Sequence, residues 1–465
     1  MTAEIDVPVA LLRERVTELA QTAEPLGAYA TADSVRYPFL TADGVRSLAL
    51  RRDAQPVPSL TAVLPLYDWH EREMQQTHGI VFADRPDRRP LFIAAGLVPG
   101  ALTAQGEGLT VVVVGPVHAG IIEPGRFTFT TGGETVISLD AQFSYSRRGL
   151  ESALAGRDAL AAAPAVARIC GGCSAARSWA YARALEALAG VACEDAAEYA
   201  RVVFAELERL YNHLFDLGNA ASGAGYGRGL ARGLELKERV AKACAAVAGH
   251  RLLFDAIVPG GVRCGVLRDP AALRRDLHRL RAEVKRFTGE LFANQSLLRR
   301  FAGAGVVDAD TARLFGTGGP ARRASGGKLD VRAFAPYGAY RTLGMRVRGE
   351  KSGDVLARCR VKTEEIAESF RLLDDALAAL GKQPPGEPLD FAPAAGHVTT
   401  AVEGARGIET VSVELNARGT IERLHVISAS YRNWPVVPRA MDGNIIPDFP
   451  LVNKSFNLCY ACMDR

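Results

Sequence analysis

"RICGGCSAAR" (residues 168–177) sets two cysteines, Cys170 and Cys173, two apart beside a glycine pair, where an alanine-rich helical pattern begins. Thiols at that spacing serve as half of a metal site, as a dithiol redox couple, or as small buried residues. A second pair stands far away in the chain: Cys459 follows Cys173 by 286 positions and is joined by Cys462 in "SFNLCYACMDR" (455–465). A structural zinc site usually draws both pairs from one local unit, roughly 15–20 residues apart. Here the fold itself has to bring the pairs together. Thiolates are soft ligands suited to zinc, iron–sulfur, copper(I) or nickel. Spacing alone leaves open a shared four-thiolate site, two unrelated buried pairs and a redox switch.

The rest of the composition narrows the class. The chain has 465 residues, 48% of them hydrophobic and 23% charged, enough for a large core. A net charge of +4 from interspersed acids and bases gives no nucleic-acid footprint. No apolar run approaches the roughly 20 residues that span a bilayer. The longest, "LTVVVVGPV" (109–117), reads as a buried strand. The N-terminal "MTAEIDVPVA" lacks the pattern of a signal peptide, so a cytoplasmic location is expected, with docking on a membrane partner open. In a reducing compartment, paired cysteines point to metal or redox chemistry. The four single cysteines, Cys193, Cys244, Cys264 and Cys359, are expected to be buried.

Periodicity along the chain predicts an α+β protein. A small N-terminal α+β domain (1–100) carries a helix in "VALLRERVTELAQTA" (9–23) and strand-like runs in "VRSLALRR" (45–52) and "LTAVLPLY" (60–67). The boundary falls in the loop-like stretch 95–106. The remainder (101–465) is a mainly helical core with β segments at both ends. Strand runs fill 109–146, and long apolar-periodic helices follow at 195–222, 233–258, 269–302 and 353–380. "TVSVELNARGTIERLHVIS" (410–428) alternates around an "NARG" turn.

"RICGGCSAARSWAYARALE" resembles the first cysteine motif of NiFe-hydrogenase large subunits, and "CYAC" before an abrupt end resembles the second. "GPVHAGIIEPGRFTF" (115–129), "ELERLYNHLFDLG" (206–218), "GHRLLFDAIVPGGV" (249–262), "GPARRASGGKLDVRAFAPYGAY" (319–340), "SGDVLARCRVK" (352–362) and "YRNWP" (431–435) are similar to one branch of that superfamily. It comprises group 4 membrane-bound, energy-converting hydrogenases, formate hydrogenlyase and the 49-kDa subunit of respiratory complex I. "EREMQQTHGIVFADRPDRR" (71–89) resembles the end of the complex I 30-kDa subunit, fused at the N-terminus.

The resemblance implies a nickel–iron centre with CO and cyanide on iron. Cys170 and Cys459 would bind nickel terminally, and Cys173 and Cys462 would bridge the metals. Glu123 matches the family glutamate near a terminal thiolate and would take a proton; Arg406 matches the arginine over the open metal position. His118 and Arg126 fall at positions facing the cofactor or quinone path, and His213 reads as a hydrogen-bonded core histidine. Three arginines, Arg126, Arg147 and Arg177, stand where the family commonly has histidine, and arginine cannot relay protons near neutral pH. Asn457-Leu458 replaces the usual aspartate–proline, and Ala405 replaces a proline.

The implied function is that of an oxidoreductase, the catalytic subunit interconverting H2 with protons and electrons. Its implied partners are a small subunit with a 4Fe–4S cluster, membrane-arm subunits, and formate dehydrogenase or ferredoxin. Through them it would sit on the cytoplasmic face of the inner membrane. The alternatives are a complex I-like NADH–quinone oxidoreductase subunit that shapes a quinone pocket without nickel, and a zinc-stabilised structural subunit. The retained cysteines, Glu123 and Arg406 favour the hydrogenase.

Overall fold

Apolar residues at helical and strand spacing account for most of the elements. The computed structural model describes residues 2–53, 56–93, 100–118, 123–381 and 385–465. In the N-terminal part, helix α1 (Leu12–Leu19) buries Leu12 and Val16, which share a core with the antiparallel hairpin β1 (Ser34–Thr41) and β2 (Gly44–Arg51). The strand Ala3–Asp6 runs parallel to β2. "LTAVLPLY" differs from its strand expectation: it forms turns that lead into α2 (Tyr67–His78). Leu60, Leu64 and Leu66 are buried there, so their apolarity marks burial, and Pro65 interrupts any ladder. Leu26, Leu40 and Trp69 belong instead to the larger core of the chain. Part of the expected boundary, 94–99, lies outside the described residues.

The next sheet is antiparallel, with β3 (Leu109–Val114) on the edge of β4 (Arg126–Gly132), which pairs with β5 (Thr135–Gln142). The expectation that "LTVVVVGPV" is buried does not hold. Val111 is 50% exposed and Val113 47%, because β3 is an edge strand with one open face.

The helical body comprises α3 (Ser174–Ala189), α4 (Asp195–Gly223), α5 (Gly227–Ala248), α6 (Pro270–Ala293) and α7 (Val355–Leu380). The predicted helix over 269–302 is two helices, broken at Asn294, whose side chain caps the second. Asp269 and Asp354 cap α6 and α7 through the amides of Ala272 and Ala357, each at 2.8 Å. At the α4–α5 crossing a side-chain carbon on Gly233 would lie 2.9 Å from the Gly218 backbone, so glycines set how closely these helices approach. Charges lock α4 and α7 to their surroundings from inside. Lys362 pairs with Asp216 (2.6 Å), Arg323 with Glu365 (2.7 Å) and Glu403 (2.9 Å), and Arg332 with Glu206 (2.9 Å), all buried.

The C-terminal part adds the antiparallel sheet β6 (Gly396–Gly404), β7 (Gly407–Leu415) and β8 (Ile421–Ile427), with the "NARG" turn between the last two. Helix α8 (Phe449–Phe456) ends at Asn457, which adopts the left-handed conformation at φ 51°. Of the single cysteines, Cys244 and Cys359 are buried and Cys193 is half-buried against Glu186, but Cys264 is exposed on a turn shortly before α6. Arg465 pins this end to the N-terminal part: its guanidinium meets Glu73 of α2 (2.6 Å) and Glu151 (2.8 Å) and lies over Tyr431.

Candidate metal centre

Helix α4 supplies the floor under the first cysteine pair. Its Glu208 carboxylate accepts the amides of Ala175 (2.7 Å) and Ala176 (3.1 Å), two of the free donors at the start of α3. One turn on, Tyr211 donates to the Gly171 carbonyl (3.0 Å) and Asn212 to that of Gly172 (2.8 Å). The "CGGC" loop is thus held by backbone contacts that do not use its thiols. A side chain at Gly172 would come within 2.7 Å of the Arg406 guanidinium, which explains one of the two glycines.

The second pair arrives from the end of α8. Cys459 donates its amide to Ser430 (2.9 Å), and Arg148 ties the two motifs by donating to the carbonyls of Ile169 (2.6 Å) and Ala461 (2.7 Å). The four sulfurs meet. Cys170 Sγ lies 3.2 Å from Cys459 Sγ, and Cys173 Sγ lies 3.7 Å from Cys462 Sγ. The sulfurs of Cys170, Cys459 and Cys462 lie within 4.8 Å of one another. Three of the cysteines are buried and Cys459 is half-buried. A buried, four-sulfur donor set drawn equally from two motifs fits soft metals bridged by thiolates.

Two cations face the sulfurs. Arg406, on the turn between β6 and β7, donates Nε to the Asn457 carbonyl and Nη1 to that of Gly172 (3.4 Å), so it touches both motifs. Asn433 of the "YRNWP" stretch holds that turn through the Arg406 carbonyl (2.9 Å). Arg177, in the first turn of α3, donates Nη2 to Cys462 Sγ (3.4 Å) and Cys173 Sγ (3.6 Å) and is paired with Glu409 (2.7 Å). Among the thiols, Cys462 is held well below the usual range by hydrogen bonds from Cys170, Cys173 and Cys459, with Arg177 adding its charge. Cys173 and Cys459 are pushed up by their hydrogen bonds to Cys170 and then to Cys462. Metals binding this set would replace the protons its sulfurs share. Burial pushes the Glu208 carboxyl up to about 7, against the pull of its two backbone donors.

The other expected residues lie around this centre. His118 sets Nε2 against the Gly125 carbonyl (2.7 Å), and its ring lies 6.4 Å from that of Tyr460, between the last two cysteines. Glu123 is exposed beside residues 119–122, which lie outside the described set, and its charge helps lift Asp464 to about 6 after burial. Arg126 opens β4 and faces Tyr145. Among the described residues, neither Glu123 nor Arg126 hydrogen-bonds a cysteine. Arg147 is exposed and stacks on Phe92 (4.2 Å). His213 is buried on Glu365 (2.9 Å), as a core histidine should be. Sequence reasoning missed Glu208, Glu409 and the Asp216–Lys362 pair. Their signal was present in α4, where Glu206, Glu208, Arg209, Asn212, His213 and Asp216 occupy several faces of a helix whose apolar residues leave no solvent side.

Family patterns match along the chain. "Respiratory-chain NADH dehydrogenase, 49 Kd subunit" matches residues 229–389 and 388–465, its "30 Kd subunit" 21–102, and "Nickel-dependent hydrogenase" 148–217. Formate hydrogenlyase subunit 5 of Escherichia coli is 30% identical, over 88% of this chain and 77% of the relative. The membrane-bound hydrogenase subunit alpha of Pyrococcus furiosus is 30% identical, over 76% and 86%. A chain of the membrane-bound sulfane sulfur reductase, an archaeal respiratory membrane complex, shares the fold with a TM-score of 0.71 at 23% identity, covering 78% of this chain and all of that one. With two C-x-x-C motifs folded into one sulfur cluster, and relatives of this identity and coverage, the chain belongs to the family of membrane-bound NiFe-hydrogenase large subunits related to the 49-kDa subunit of complex I.

Proposed function

We propose that this chain is the catalytic large subunit of a membrane-associated hydrogenase complex, and that Cys170, Cys173, Cys459 and Cys462 hold its nickel–iron pair. The observation that carries this reading is the convergence of four sulfurs from motifs 286 positions apart. A quinone-pocket scaffold has no use for that convergence. When bound, the metal pair, with CO and cyanide on iron, supplies the heterolytic cleavage and formation of H2. The chain supplies the setting. Arg406 places a permanent charge against both motifs and keeps the pocket polar on one side. The aromatic rings of Phe143, Trp434 and Tyr460, packed at 4.3–5.4 Å, exclude water on the other. Glu123, exposed beside the centre, exchanges protons with solvent, and its charge helps lift the buried Asp464 carboxyl. His118 and Arg126 line the approach from the β3–β4 connection.

In this reading residues 1–100 form the 30-kDa-like docking domain and 101–465 the catalytic domain. Electrons leave to a small subunit carrying a 4Fe–4S cluster and onward to formate dehydrogenase or ferredoxin, on the cytoplasmic face of the membrane. Among the described residues no helix is long and apolar enough to cross a membrane; in this reading partner subunits carry the membrane association. The test is nickel, iron and zinc per chain in the complex purified anaerobically after co-expression with a maturation system. Equal nickel and iron in the wild type, lost in Cys462→Ser, is the expected result. Zinc alone, or no metal, overturns the reading in favour of a scaffold.

A further inference from the structure

Arg177 is one helical turn beyond Cys173 and has no solvent exposure. Its Nη2 donates to the sulfurs of both Cys173 and Cys462, one from each motif. Its Nε and Nη2 bind Glu409 Oε2 (3.2 and 2.7 Å), and Glu409 Oε1 is fixed by the Ala429 amide (3.0 Å). Nη1 is also buried and has no hydrogen-bond partner among the described residues, so the guanidinium keeps donor capacity inside the cluster. Nε and Nη2 of this side chain are therefore committed to a carboxylate on β7 and to two thiols.

We infer that Arg177 is a positioning residue that clamps Cys173 to Cys462 and fixes how strongly these two sulfurs donate to a bound metal. The assignment of this pair as the bridging one rests on the function proposed above; the clamp itself does not. A guanidinium stays charged at every working pH, so its N–H···S bonds withdraw electron density permanently. A neutral imidazole at that position could donate one N–H···S bond but would carry a charge only when protonated. Hydrogen bonds to coordinating sulfur are a known lever on metal-site reduction potential. Arg177 therefore holds the bound pair at a higher potential than an uncharged side chain would. The remote anchor matters too. Glu409 offsets the buried charge, so the arginine is retained without an unpaired cation in the core.

The test uses Arg177→Met, which keeps length and removes charge, and Arg177→Lys, which keeps charge but reaches with one compact group. In the matured complex, infrared spectra should show the stretches of the diatomic ligands on iron at lower wavenumber in Arg177→Met, with Arg177→Lys between it and wild type. The midpoint potentials should fall in the same order. The full-length chain loaded anaerobically with cobalt(II) alone gives the second readout. The sulfur-to-cobalt charge-transfer band should move to longer wavelength in Arg177→Met and less so in Arg177→Lys. Unchanged cobalt bands in variants that bind the ion overturn the inference, and so do unchanged infrared bands in nickel-loaded variants. A wild type without nickel or iron, whose cobalt band still shifts on substitution, sinks the hydrogenase reading and leaves the clamp standing.

Discussion

Lys362→Met removes one charge from the buried pair behind the second cysteine motif and keeps the side chain's length. Lys362 Nζ donates to Asp216 Oδ2 at 2.6 Å and to the Ser455 carbonyl at 2.8 Å, and Asp216 Oδ1 also accepts from the Asn457 side-chain Nδ2. Burial pushes the Asp216 carboxyl up, but Lys362, followed by His213 and Arg406, overrides it and holds the carboxyl below the usual range. Unit charges 3–4 Å apart attract by roughly 4–5 kcal/mol at an effective dielectric of 20. The loss has a ceiling, because an abandoned carboxylate takes up a proton instead. At pH 7 that escape costs about 4 kcal/mol, some three pKa units at about 1.4 kcal/mol each. The expected destabilisation is therefore about 3–4 kcal/mol at pH 7, within the range of broken buried pairs.

The sign with pH follows. In the wild type Asp216 contributes stability above the ordinary aspartate pKa, lost as pH falls through its depressed value. In Lys362→Met burial lifts the carboxyl, so the penalty is present at high pH and shrinks on acidification, to about 1.5 kcal/mol at pH 5. Anaerobic urea unfolding of the metal-free chain at both pH values measures it. The double variant Lys362→Met/Asp216→Asn should recover most of the loss. A deficit below about 1 kcal/mol at pH 7, or one that ignores pH, would refute the reasoning.

Other substitutions probe the remaining supports. Glu208→Gln should flatten a pH slope: the wild-type carboxyl, lifted to about 7, contributes stability fully present below about pH 4.5 and lost as pH rises through 7, worth roughly 3 kcal/mol. Urea midpoints between pH 5 and 8 read it. Gly319→Ala forces a side chain at φ 65° to within 2.4 Å of the Arg406 carbonyl, so it should cost at least about 2 kcal/mol and displace the Arg406 turn. Thermal melting, with H2 turnover measured on the loaded complex, separates the two effects. Arg465→Met leaves Glu73 and Glu151 facing each other without their cation, an expected loss of about 3 kcal/mol that should appear as earlier proteolysis of residues 1–100.

The sequence carried the helices well where apolar spacing was long, as in α4 and α7, and it carried the four cysteines and Arg406 because their motifs are local. It carried less where apolarity has two causes. In "LTAVLPLY" the leucines are buried in turns; in "LTVVVVGPV" the valines lie on an edge strand, open on one face. What a linear reading could not supply was pairing at a distance. Arg177 stood out as an odd substitution for histidine, and only the approach of Glu409 from β7 and Cys462 from the chain's far end shows why a buried arginine is tolerated there. Glu208 was visible as one charge in a helical stretch; its use as a cap for a different helix depends on the crossing of α3 over α4.

The long separation of the two motifs also makes a bound metal an intrachain cross-link. A tether between Cys173 and Cys459 closes a loop of 286 positions. On the loop-entropy relation for covalent cross-links, a closure of that length removes roughly 5–6 kcal/mol of freedom from the unfolded chain. Without metal, the segment from α8 onward is held by its buried apolar side chains, its hydrogen bonds and the Arg465 ion pairs. Metal held by both motifs would add the closure contribution to those contacts and raise the cost of releasing that segment.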